Sequence, residues 1–173
     1  MSAKVRLPDA EQAVNALAAS MRASVAAGAQ LVGIYSGGAW LAEHLAHAIG
    51  NDRPVGYIDV SFYRDDFAQK GLKTKVKRTE LPFEVEGAHL VLVDDVLYTG
   101  RSVRAAINEL FDFGRPARIE LAVLIDRGGR ELPIEATYVG ARVEAPQDMS
   151  IVLSRDEAGR FSLATEAAGD ASA

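Results

Sequence analysis

Cysteine is missing from all 173 residues, which excludes disulfide staples and thiolate-held metal centres and suits a reducing compartment. Histidine is scarce: only His44, His47 and His89 occur. His44 and His47 share one helix face without an acidic partner at a metal-binding spacing, which favours a packing or surface role. No apolar run approaches the ~20 residues that span a bilayer, and the start MSAKVRLPDAEQAV lacks the apolar core of a secretory signal. A soluble, cytoplasmic protein with no membrane partner is expected. Positive charge is in deficit too, the formal net charge being -5, which argues against a surface given over as a whole to nucleic acid. A Walker A loop is excluded because no Gly-Lys-Ser/Thr triplet occurs.

What is present is an apolar half, 49% of the chain, enough for one domain over residues 1–173 to bury a core. Asp9 and Gln12 resemble a capping box, and Val14, Leu17, Met21 and Val25 recur at helical spacing until Gly28. Leu31 to Tyr35 reads as a buried strand, Ser36-Gly37-Gly38 as a tight loop, and Ala39 to Ile49 as a helix stopped by Gly50. Val55 to Phe62 suggests a second strand. Residues 63–87 then form a long charged excursion, expected to be a flexible hairpin, and a loop of this length points to a lid or binding arm.

His89 to Val93 carries four consecutive aliphatics, the pattern of a strand buried on both faces. Asp94-Asp95 follows, then a helix from about Ser102 to Phe113 and an aliphatic strand from Ile119 to Ile125. Beyond the turn DRGGRELP, further strands are expected at Thr137 to Val139, Met149 to Leu153 and Arg160 to Ala164, with a mobile tail over 166–173. This alternation predicts an α/β fold with a mostly parallel central sheet flanked by helices.

Ligands of open α/β sheets bind beyond the carboxyl ends of the strands, and the segment LVLVDDVLYTGRS, Leu90 to Ser102, has the chemistry for one. Thr99, Gly100, Arg101 and Ser102 precede a helix, where unpaired N–H groups and the positive dipole end favour an anion. Asp94 and Asp95 would repel a polyanion bound directly on them, but could accept hydrogen bonds from the 2- and 3-hydroxyls of a ribose whose 5-phosphate lies in the cradle. An acidic strand end followed by a capped helix is the plainer alternative.

The same stretch resembles the phosphoribosyl-pyrophosphate motif of type I phosphoribosyltransferases. IDVSFYRDD (Ile58 to Asp66), VLVDDVLYTGRSVRAAINEL (Val91 to Leu110) and FGRPARIELAVLIDRGGRELPIEATYVG (Phe113 to Gly140) are similar to the pyrimidine-operon regulator family, PyrR. That resemblance implies the type I phosphoribosyltransferase fold with a small hood, and uracil phosphoribosyltransferase activity making UMP and pyrophosphate. It also implies regulation of pyrimidine-operon messenger RNA in response to UMP or UTP, and a homodimer or homotetramer. It further implies a site for phosphoribosyl pyrophosphate and UMP at Ser36, Gly37, Gly38, Asp94, Asp95, Val96, Leu97, Tyr98, Thr99, Gly100, Arg101 and Ser102.

Magnesium is the implied cofactor, held mainly by substrate near Asp94 and Asp95. Ile125, Asp126 and Arg127 match the segment lining the base pocket, although Asp126 can equally be structural. Arg64, opening the excursion, is the implied pyrophosphate contact and completes the implied catalytic set with Asp94 and Asp95 on the sugar side, with a plain surface arginine as the competing reading. Purine enzymes of the superfamily usually place an acid where Tyr98 stands, which favours a pyrimidine here; a packing role for Tyr98 is the equal alternative and is compatible with the same function.

Two positions depart from the family pattern. Gly37 stands where Thr-Arg-Gly is common, and Gly129 replaces the histidine of RGHREL. Lys70, Lys73, Lys75, Lys77 and Arg78 form a basic run that offers contacts to RNA phosphates, or equally the solvated edge of a hairpin. The alternatives in function are a nucleotide sensor without turnover and a purine or orotate phosphoribosyltransferase.

Overall fold

The structure, a computed structural model, describes residues 4–61 and 78–169. In β3 (His89–Leu97) successive side chains alternate between faces. Leu90 and Leu92 lie on one side, Val91 and Val93 on the other, and all four are fully buried. Only a sheet covered on both faces accommodates such a run. Val91 and Val93 pack with Val14, Leu17 and Met21 of α1 (Ala10–Ala26) and with Leu41 and Leu45 of α2 (Gly37–Ile49). Leu90 and Leu92 pack with Val103, Ala106 and Leu110 of α3 (Arg101–Phe113). At roughly 1.5–3 kcal/mol for each large aliphatic taken from water, these two layers hold the fold together.

Five strands pair in parallel in the order β2-β1-β3-β4-β5, with β1 at Gln30–Ile34, β2 at Gly56–Ile58, β4 at Arg118–Asp126 and β5 at Tyr138–Arg142. An antiparallel hairpin of β6 (Met149–Arg155) and β7 (Phe161–Ala167) forms the small hood. Its Ile151, Leu153 and Phe161 join the α1–α2 core, and His44 packs edge-on against Phe161 with ring centroids 5.3 Å apart. The expected α/β architecture is the one observed. Among the described residues no helix is long and apolar enough to cross a membrane.

Several boundaries differ from the sequence-based expectation for local reasons. The strand expected over Val55 to Phe62 stops at Ile58 because the Asp59 carboxylate accepts from the Ser61 N–H at 2.8 Å and from the Ser61 hydroxyl, an Asx turn that competes with the ladder. β3 continues past Val93, since Asp94, Val96 and Leu97 remain paired with Val123, Ile125 and Asp126 of β4. β7 runs to Ala167, opposite Met149, two residues into the segment expected to fray. Of the excursion over 63–87, Glu80 forms an antiparallel bridge with Tyr57. Arg64, Lys70, Lys73, Lys75 and Lys77 lie outside the described residues.

Towards the amino end of the sheet, buried Glu120 accepts from Tyr138, Ser24 and His89, tying α1, β3, β4 and β5 together. Burial pushes its carboxyl up, but these hydrogen bonds and the nearby Arg118 outweigh that and leave it below the ordinary carboxylate value.

Candidate active site

β1 has β2 on one side and β3 on the other, so the chain leaves the carboxyl ends of β1 and β3 in opposite directions and opens a crevice between them. The loop after β1 carries Ser36, Gly37 and Gly38, and the end of β3 carries Asp94 and Asp95. Sequence places these groups nearly sixty residues apart; strand order makes them neighbours. Gly37 and Gly38 are the first turn of α2 rather than a separate loop, and Ser36 is its N-cap without a side-chain capping bond. A Cβ on Gly38 would lie 2.3 Å from the Val93 carbonyl oxygen, and one on Gly37 would lie 2.4 Å from Asp95 Oδ2. Glycine is therefore what lets the start of α2 rest directly on the end of β3. The absence of an arginine at position 37 has a steric reason in this chain: the space beside it belongs to Asp95.

Alternation along β3 separates the two carboxylates. Asp94, only 4% exposed, lines a cavity of about 140 Å³ together with residues 96–103, whereas Asp95 turns towards Gly37. Each carboxylate is oriented by one backbone donor: Asp95 N–H to Asp94 Oδ1 at 2.9 Å, and Val96 N–H to Asp95 Oδ1 at 2.8 Å. The far wall of the cavity is the start of α3. Gly100, at φ 94°, is the N-cap and brings no side chain, and no acidic residue occupies the first turn. Thr99 Oγ1 accepts from the Arg101 N–H at 3.3 Å. A helix start of this kind, bounded by hydroxyls of Thr99 and Ser102, receives an anion such as a phosphate.

Beside it, Leu97 and Asp126 are register partners on β3 and β4, so the cradle and the loop after β4 share one sheet edge. Asp126, 6% exposed, is held by Arg130 at 2.7 Å, Arg142 at 2.8 Å and the Gly128 N–H at 3.0 Å. Burial works against its charge, yet Arg130, the Gly128 amide and Arg142 prevail and keep its carboxyl below the ordinary aspartate range. Arg130 also donates to the Tyr98 carbonyl at 2.9 Å and the Ile134 carbonyl at 2.8 Å, fastening the β4 loop to the cradle. Sequence reasoning missed Arg130 and Arg142. The first sits four residues from Asp126 in a loop, and the second faces Asp126 only through the β4–β5 register, so neither had a sequence signal.

A second cavity, of about 510 Å³, is lined by Asp126 to Gly128, Arg130 and Arg142 to Glu144. The Arg127 guanidinium lies over the Tyr98 ring, 4.0 Å from its centroid, and a Cβ on Gly129 would lie 2.4 Å from Tyr98 Cε2. Tyr98 is thus packed by its neighbours, and Gly129, at φ 77°, makes room for it.

Asp94 and Asp95 are hard oxygen donors, and among the described residues no group of three or more metal-binding side chains forms. Two carboxylates beside a phosphate cradle suit magnesium, which keeps several waters and takes its remaining ligands from substrate phosphates.

The model of the phosphoribosyl transferase domain family matches residues 5–152. A protein of Pseudomonas fluorescens Pf-5 named bifunctional protein PyrR is 48% identical over 152 residues, 86% of this chain and 90% of its own. One of the same name from Ralstonia nicotianae GMI1000 is 50% identical over 165 residues, 91% of this chain and 94% of its own. Among solved structures, a purine phosphoribosyltransferase of Pyrococcus horikoshii superposes with a TM-score of 0.59 at 26% identity, covering 77% of this chain and 81% of that one. A hypoxanthine-guanine phosphoribosyltransferase of Bacillus anthracis reaches 0.61 at 19% identity, covering 86% and 87%, a likeness of fold.

Proposed function

The chain belongs to the phosphoribosyl transferase family and, within it, to the bifunctional PyrR proteins, and from that premise we propose that it transfers the phosphoribosyl group of phosphoribosyl pyrophosphate to uracil. The observation that carries this reading is the pairing of Asp94 and Asp95 at the end of β3 with a start of α3 whose N-cap, Gly100, brings no side chain. A ribose 5-phosphate lies in the Thr99–Ser102 cradle, and its diol donates to the carboxylates. The adjacent start of α2 at Ser36–Gly38 faces the pyrophosphate. The base enters beside Ile125 to Arg127, above the loop that Asp126 and Arg130 hold.

The N1–C1′ bond forms as the bond from C1′ to pyrophosphate oxygen breaks, and the N1 proton passes to solvent. Positive charge develops at the anomeric carbon, next to Asp94 and Asp95, which are already oriented by backbone donors and need no reorganisation to stabilise it. Negative charge grows on the leaving group near the N-terminus of α2. Magnesium would be held mainly by substrate oxygens near Asp94 and Asp95, and when bound it neutralises charge on the pyrophosphate oxygens. Tyr98, standing where purine enzymes place an acid, favours a base without N7. Control of pyrimidine-operon messenger RNA in response to UMP or UTP accompanies transfer in this reading, with Arg78 and the basic positions before it as candidate phosphate contacts.

The test offers uracil, hypoxanthine, guanine and orotate separately with phosphoribosyl pyrophosphate and magnesium, and measures pyrophosphate release. Release with uracil alone is expected, and release with a purine or orotate instead overturns the choice of acceptor. The Asp94→Asn/Asp95→Asn double variant should fold and lose most turnover; wild-type rates in it would sink the role given to the pair. For the RNA arm, affinity for a pyrimidine-operon leader should fall steeply with salt and rise with UMP; a flat response to both excludes it.

A further inference from the structure

Arg127 is 8% exposed, and among the described residues no carboxylate pairs with it, because neighbouring Asp126 is already taken by Arg130 and Arg142. A buried guanidinium without a counter-charge adds little to stability by itself. Its hydrogen bonds all run in one direction. Nη1 donates to the Met149 carbonyl at 2.7 Å, and Nη2 donates to the Pro146 carbonyl at 2.9 Å and the Ala145 carbonyl at 3.3 Å. Those carbonyls belong to the turn that leads into β6, closed on itself by the Met149 N–H to Pro146 carbonyl bond at 3.1 Å. The guanidinium also lies 4.0 Å over the ring of Tyr98, within the phosphate cradle. Nε is buried without a partner among the described residues, so the group is oriented by the carbonyls and the ring alone. One side chain therefore spans three parts of the molecule: the base loop that carries it, the cradle, and the foot of the hood. The rest of the hairpin is anchored elsewhere, through Ile151, Leu153 and Phe161 on the α1–α2 core and through the Phe161 N–H to Glu11 Oε1 at 2.6 Å.

We propose that Arg127 is a positioning residue, which sets the height of the hood over the base loop and so fixes the nucleobase relative to the anomeric carbon carried by the cradle. With three of its terminal N–H groups given to the carbonyls of Ala145, Pro146 and Met149, Arg127 acts through the hood. This rests on the reading that the base enters beside residues 125–127. The planar fork and flat face are both used, so lysine can recover the carbonyl bonds only in part and the stacking not at all.

The experiment compares Arg127→Met and Arg127→Lys with the wild-type chain, using whichever nucleobase the wild-type protein accepts. A failure with uracil then removes only the choice of acceptor. Arg127→Met should raise KM for the base about tenfold and lower kcat about tenfold, since a misplacement near 1 Å reaches that scale. The dissociation constant of magnesium phosphoribosyl pyrophosphate, measured by calorimetry, should change much less than the KM for the base, because Thr99 to Ser102 keep their contacts and only the ring of Tyr98 loses its cover. Arg127→Lys should fall between. Tyr98→Leu added to Arg127→Met should cost much less than it does alone, as expected of two groups acting as one unit.

A change in phosphoribosyl pyrophosphate affinity with an unaltered base KM would overturn the proposal in favour of direct phosphate binding. Activity that tracks only the folded fraction, with both constants unchanged, would overturn it in favour of a purely structural role. If Arg127→Met does not fold, the same split between the two constants in Arg127→Lys decides.

Discussion

Gly37 gives the sharpest separation of activity from stability. With alanine there, the new Cβ would lie 2.4 Å from Asp95 Oδ2, 2.9 Å from its Cγ and 3.0 Å from its Cβ, whereas ordinary contact begins at 3.4 Å. The carboxylate must retreat by about 1 Å, and contact at its Cβ means rotation alone cannot fully relieve the overlap. An off-rotamer side chain costs about 0.5–1.5 kcal/mol, and weakening the Val96 N–H bond adds about 1 kcal/mol. For a chain of this size the sum, about 1.5–2.5 kcal/mol, lowers the melting midpoint by about 3–10 °C, at roughly 2–4 °C per kcal/mol. Turnover should suffer far more, on the order of 10²-fold for a 1 Å displacement of a group facing the anomeric carbon.

Gly38→Ala is the contrast, since it should lose stability together with turnover. Its Cβ would meet the Val93 carbonyl oxygen at 2.3 Å and the Asp94 Cα at 3.0 Å, backbone of a buried strand that cannot rotate away, so stability falls by about 1–3 kcal/mol or more. Steady-state pyrophosphate release and thermal unfolding on the same samples separate the two effects. Wild-type turnover in Gly37→Ala, or losses in step with Gly38→Ala, would refute the placement of Asp95 at the reaction centre.

Gly129→Ala combines a left-handed φ of 77° with a Cβ 2.4 Å from Tyr98 Cε2, and should lower the melting midpoint by several degrees and weaken phosphoribosyl pyrophosphate binding through the displaced ring; unchanged affinity by calorimetry would show that Tyr98 does not support the cradle. The folded-state carboxyls of Asp126 and Glu120 both lie below their unfolded values. Their stabilisation is fully present above the unfolded pKa of about 4 and is lost as pH falls through the folded values. The melting midpoint should therefore drop below about pH 4, and less steeply in Asp126→Asn; identical slopes would remove Asp126 from this account.

Legibility followed the length over which each interaction is written along the chain. The aliphatic run of β3, the helical spacing of α1 and the Asp94 to Ser102 segment are local, and they were readable because each residue type states its own environment. The contact between Gly37 and Asp95 depends on strand order, and the grip of Arg142 on Asp126 depends on the register of β5 against β4. Neither has a local signature. Gly129 shows the same limit: in sequence it is a missing side chain, in three dimensions it is space occupied by Tyr98.

Strand order also divides labour across the sheet. In the proposed reaction the ends of β1 and β3 take sugar and phosphates, while the end of β4 and the foot of the hood, joined to them through Arg127 and Arg130, take the base. A lineage could therefore exchange one acceptor for another by rewriting residues 126–130 and 145–150 and leave the bond-breaking apparatus as it was. The two arginines mark where such rewriting is constrained, since any new acceptor pocket must still be fastened to the old cradle.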